Sequence, residues 1–155
     1  MDNVLKWLMN YCMEHDIGVL YKKDLPETAP SDSWQNPKLI IFNANYYKVN
    51  ERPFMLAHEI GHVIDEVPEY YKLAHLGIEK GEFSANRFAI NLLALYCFEN
   101  DIWYGTYYDF ARAFGIPKDK YYVLEFIFES LQEIYSSTVV SDVKPKTEII
   151  LFGRL

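Results

Sequence analysis

Apolar residues recur three or four apart near the start of the chain: Val4, Leu5, Leu8, Met9 and Cys12 fall on one face of a helix over residues 2–15. Gly18, following Asp16 and Ile17, reads as a break, and residues 17–21 as a short strand. Residues 25–36 are rich in Pro, Ser, Asp and Thr and read as loop. Leu39-Ile40-Ile41-Phe42 is a compact apolar run of strand length within residues 38–43, and Asn43-Ala44-Asn45 turns it. Asn50 is placed to cap a helix with Glu51 and Pro53 in its first turn, ending near Asp65 or Glu66 before Pro68. Residues 67–78 read as loop. Glu82 lies at the head of the next helix, which runs to about Phe98 and stops at Asn100-Asp101. Helices over residues 107–114 and 118–135 flank the turn Gly115-Ile116-Pro117, and Glu148-Ile149-Ile150-Leu151-Phe152 closes the chain as a strand-like run. The pattern predicts an α+β fold, a small N-terminal sheet beside a helical core. We expect one domain over residues 1–155: helix and sheet in 1–50, two central helices in 51–99, further helices in 104–135 and a tail in 136–155.

Composition narrows the class. Half of the 155 residues are hydrophobic and 17% are aromatic, enough for a real core and too much for a disordered chain. The net charge of −7 and the lack of a Lys/Arg cluster argue against nucleic acid as a partner. Two cysteines, Cys12 and Cys97, are too few for a disulfide framework and read as buried thiols in a reducing cytoplasm. No basic, apolar leader opens the chain, so no signal peptide is expected, and no apolar run reaches the ~18 residues of a membrane span.

The chemistry is concentrated in His58-Glu59-Ile60-Gly61-His62. On a helix, residues i and i+4 project from one face, so the two imidazoles can converge on one metal ion. Glu59 sits about 100° round the helix from His58, close enough to reach a water at the metal without being a ligand. Such a water has its pKa lowered to roughly 7, and a glutamate there can take its proton and pass it to a leaving amine. Two of the chain's four histidines lie in this pentapeptide, and its neighbours Phe54, Met55, Leu56, Ala57, Val63 and Ile64 are apolar. Buried His and Glu are costly unless paired or bound to metal. Gly61 lowers helix propensity by about 1 kcal/mol, which a close packing partner would explain.

A catalytic zinc site wants a third protein ligand. A third histidine six residues after His62 is excluded, because Pro68 stands there. Glu82 fits better: Ala85 and Ala89 share its face and let its helix approach that of His58. Glu79, one turn earlier, and His75, from the preceding loop, are the rivals. The donor set suits one Zn²⁺, with Mn²⁺ or another divalent ion as alternatives.

The pairing of Leu56-Ala57-His58-Glu59-Ile60-Gly61-His62 with Glu82-Phe83-Ser84-Ala85-Asn86-Arg87-Phe88-Ala89 resembles the ImmA/IrrE metallopeptidases. The resemblance spans roughly residues 38–95. It implies a mainly helical, zincin-like domain with the sheet beside the active-site helix. It also implies metal ligation by His58, His62 and Glu82, and Glu59 as catalytic base. Family members are bacterial and phage proteins, several of which cleave a helix-turn-helix repressor. The resemblance therefore implies such a repressor of a mobile element, prophage or stress regulon as substrate. One departure stands out: the family often continues into Leu-Leu-Met-Pro, whereas Leu92-Leu93 here is followed by Ala94-Leu95-Tyr96.

Lesser candidates surround this core. Asp65 could accept a hydrogen bond from a ligating imidazole, and Asn86 could orient Glu82. Tyr46, Tyr47, Tyr70, Tyr71 and His75 are candidate donors to a developing oxyanion. The helices of residues 107–135 have helix-turn-helix spacing, but their acidic residues suit a core or a protein-docking surface better than phosphates. A site-selective zinc endopeptidase is the first expectation. The alternative is a metal-containing binding module that sequesters a repressor without cutting it; Glu59 argues against this, since a structural metal site needs no base.

Overall fold

The computed structural model describes residues 2–64 and 75–127, with the backbone alone for residues 2 and 75–79. Helix α1 (Asp2–Glu14) leads into a three-stranded sheet of β1 (Gly18–Lys22), β2 (Asp32–Gln35) and β3 (Lys38–Asn43). A 3₁₀ turn at Val49–Glu51 precedes α2 (Arg52–Ile64), and α3 (His75–Glu99) and α4 (Tyr107–Phe114) follow. A 3₁₀ turn at Lys118–Lys120 continues into helix over residues 121–127. The mainly helical α+β architecture is the one the pattern predicted.

The sheet order is β1-β3-β2. The apolar strand β3 is central, pairing parallel with β1 and antiparallel with β2, where Ser33 lies opposite Ile40. Ile40 and Phe42 are fully buried on the face turned to the helices, joining Leu56, Ile60 and Leu8 in one core with Ile90, Leu93 and Phe110. β2 is a correction to the loop expected over residues 25–36. Its Asp-Ser-Trp-Gln sequence carries almost no strand propensity, and pairing with β3 supplies what propensity does not. Helix α2 packs against α1, α3, β2 and β3.

Three helices end in the same way. Asp16, Asp101 and Gly115 all have positive φ, and the amide of the following isoleucine (Ile17, Ile102, Ile116) bonds back to Cys12, Cys97 and Ala111 at 2.8–2.9 Å. This is the Schellman closure with a left-handed residue after the cap. Asp16, not Gly18, therefore terminates α1; Gly18 is the first residue of β1. Glycine is required at Gly115, where an added Cβ would lie 1.8 Å from the Asn50 carbonyl oxygen.

Two further boundaries differ from expectation. Asn50 lies inside the 3₁₀ turn rather than capping α2, which starts at Arg52. Helix α3 begins at His75, inside the expected loop of residues 67–78, so Glu82 stands about two turns into the helix rather than at its head. The helix propagates through Gly77 and Gly81 despite their low propensity. The expected end of α2 at Asp65 or Glu66, the helix end at 135 and the strand at 148–152 lie outside the described residues. Cys12 and Cys97 are buried and free, and burial pushes both thiols up to about 12. No helix among the described residues is long and apolar enough to cross a membrane.

Candidate metal centre

The site forms where α2 and α3 touch. An added Cβ on Gly61 would lie 2.8 Å from the Ala85 carbonyl oxygen, so the two backbones meet as closely as a glycine permits. Ala85 and Ala89 are fully buried on that side of α3. This contact brings Glu82 opposite the two histidines on α2. Glu82 Oε2 lies 3.2 Å from His58 Nε2, Glu82 Oε1 lies 2.9 Å from His62 Nε2, and the two Nε2 atoms are 2.9 Å apart.

These three residues could hold a metal ion: each offers one donor atom, and the donors all lie within 4.8 Å of one another. Around a four-coordinate zinc, donors sit roughly 3.3 Å apart, so the observed triangle needs only slight spreading to fit. Both imidazoles are largely buried, while the Glu82 side chain is 48% exposed, leaving one side open as catalytic rather than structural sites require. The imidazole hydrogen bonds hold the Glu82 carboxyl well below the usual carboxylate range, despite partial burial. It is thus an anionic donor throughout the physiological range.

Glu59 occupies the position beside this triangle and is only 8% exposed. Ser33 on β2 donates its hydroxyl hydrogen to Glu59 Oε2 at 2.5 Å. Burial pushes the Glu59 carboxyl up, whereas the Ser33 hydrogen bond and the two imidazoles pull it down. A buried carboxyl whose pKa is raised is suited to exchanging a proton.

The same strand fixes the other end of the helix: Gln35 donates from Nε2 to the His62 carbonyl at 3.0 Å. The loop ahead of β2 is held by Asn43, whose Nδ2 donates to the Pro26 and Ala29 carbonyls at 2.9 and 2.7 Å. The Asn43 amide in turn donates to Ser31 Oγ at 2.9 Å. Pro30 and Ser31 thereby become a wall of the cleft. On one side of the triangle lies a cavity of about 560 Å³ bordered by Asp32, Ser33, Trp34 and Gln35. On the other lies one of about 350 Å³ bordered by Tyr46, Phe54, Met55, Asn86, Pro117 and Lys120. His58, Glu59 and Glu82 line both.

Ser33 and Gln35 were missed by sequence reasoning because their strand was, and a four-residue polar segment carries no periodicity to find it by. Of the candidate oxyanion donors, Tyr46 borders the cleft and Tyr47 is exposed beside it. Tyr70, Tyr71 and Asp65, with the side chains of His75 and Glu79, lie outside the described residues. Asn86 is buried and makes no bond to Glu82.

A family model described as the IrrE N-terminal-like domain, Peptidase M78, matches residues 12–120. The match reaches well beyond the two motifs, from the end of α1 to the 3₁₀ turn after α4. No curated protein and no solved structure matches the chain.

Proposed function

The chain belongs to the IrrE N-terminal-like peptidase family, and from that premise we propose that it is a zinc-dependent, site-selective endopeptidase acting on a regulatory protein. The observation that carries the proposal is the convergence of His58, His62 and Glu82 beside a buried, hydrogen-bonded Glu59. A bound ion would supply Lewis acidity there, polarising a peptide carbonyl and lowering the pKa of a water to roughly 7. His58, His62 and Glu82 would hold the ion. Glu59 takes the proton of the attacking water and returns it to the departing amide nitrogen, general base and then general acid. Ser33 keeps the Glu59 carboxylate turned toward the cleft. Among the described residues, His58, Glu59 and Glu82 border two cavities, room that suits an extended peptide chain laid across the triangle.

Because several members of the family that the motifs resemble cleave a helix-turn-helix repressor, such a repressor is the proposed substrate, which would set the reaction in the cytoplasm. The test is the repressor's intact mass after incubation with the parent protein and with Glu59→Gln, each with and without chelator. Glu59→Gln should keep the metal and lose cleavage by about 10²-fold or more; chelator should abolish cleavage by the parent. Retained cleavage in Glu59→Gln would sink the mechanism. An unchanged repressor in a stable complex with the parent would favour sequestration instead.

A further inference from the structure

Among the described residues, buried side-chain polar atoms without a hydrogen-bond partner belong to only two residues: His58 at Nδ1, and Asn86 at both Nδ2 and Oδ1. A buried polar atom without a partner is costly, so two orphaned residues ask for an explanation. They border one cavity. Asn86 directly follows Ala85, the residue against which Gly61 packs, and is one turn beyond Glu82, which lies 3.2 Å from the other nitrogen of the His58 ring. The orphaned groups are also chemically complementary, an imidazole N–H and an amide oxygen.

From this juxtaposition we infer that Asn86 is the positioning residue for the metal ligand His58: its Oδ1 accepts the Nδ1–H of His58 when a metal occupies Nε2. A ligating imidazole must present a lone pair at Nε2, so its proton sits on Nδ1 and needs an acceptor. Widening the 2.9 Å gap between the two Nε2 atoms to the spacing of a coordinated triangle would turn the His58 ring. The acceptor that then fixes the tautomer is the amide on the neighbouring helix. Orienting Glu82, the other role open to Asn86, is not needed: both Glu82 oxygens already contact imidazoles. The inference rests on the metal-binding part of the proposed function and not on peptide cleavage.

The test is zinc affinity of the full-length chain by chelator competition, with helicity of the apoprotein read by circular dichroism. Asn86→Ala should bind zinc about 10–100-fold more weakly than the parent with unchanged helicity. Asn86→Asp keeps the acceptor and drops the donor, and should bind within a few-fold of the parent or tighter. Should Asn86→Ala fail to fold, the zinc-loaded parent alone decides. Its His58 Nδ1–H should be a slowly exchanging resonance with a nuclear Overhauser contact to the Asn86 side chain. Equal affinity in Asn86→Ala, no rescue by Asn86→Asp, or no such resonance would overturn the inference. A parent that takes up zinc but cuts nothing leaves it standing while the peptidase proposal fails; a parent that takes up no zinc overturns both.

Discussion

Four residues carry the proposed chemistry, and β2, which lies outside both motifs, bonds two of them: Ser33 to Glu59 and Gln35 to the His62 carbonyl. Glu59 is the clearest case. Burial raises its pKa, while the Ser33 hydrogen bond and the two imidazoles lower it, so Ser33 helps to keep the carboxylate available as the pH falls. A base works only when ionised, so activity is present above its pKa and lost as pH falls through it. Removing the Ser33 hydroxyl takes away a hydrogen bond that favours the anion and moves the acid limb to higher pH. Ser33→Ala should therefore lose more activity at acidic than at alkaline pH; a uniform loss across the profile would show that Ser33 acts otherwise. His58, Glu59 and His62 were legible from sequence because i, i+4 spacing is local and the residue types are rare in an apolar helix. Ser33 was not legible, because its role depends on strand pairing between residues distant from the motif.

The elements that matter most are α2, α3 and β2. The contact of Gly61 with Ala85 sets the distance between the two helices, and thus whether Glu82 reaches the imidazoles. Gly61→Ala would ordinarily favour a helix; here its methyl group meets backbone, which cannot rotate aside. We expect a net loss of about 1–3 kcal/mol in unfolding free energy, with weakened zinc binding, measured by denaturant titration and chelator competition. A variant as stable as the parent with full zinc affinity would show that the helices can part without harm. The helices of the core and the central strand were readable from periodicity, and the ends of α3 and α4 from Asn100-Asp101 and Gly115-Ile116-Pro117, whereas the end of α1 lies at Asp16 and not at Gly18. The start of α3 was not, since two glycines sit in its first turns, and β2 was not, since its stability lies in β3.

At the scale of the whole molecule, the fold is a scaffold that places one strand and two helices round a single point. The sheet stands beside α2 so that its edge strand forms one wall of the cleft, and the residues after α4 reach the other wall through Pro117 and Lys120. The family match over residues 12–120 covers the parts that build both walls. Where this chain continues past Leu93 without the proline common in the family, α3 simply runs on to Glu99, and the triangle of donors is unaffected. The proposed function requires this point to bind a metal ion. It is tested most directly by native mass spectrometry of the full-length chain, purified without chelator and compared with Glu82→Ala and Glu59→Gln. One divalent ion per chain in the parent and in Glu59→Gln, with loss in Glu82→Ala, is the predicted result. A parent without metal after zinc addition, or a Glu82→Ala chain that retains it as firmly as the parent, would contradict the account.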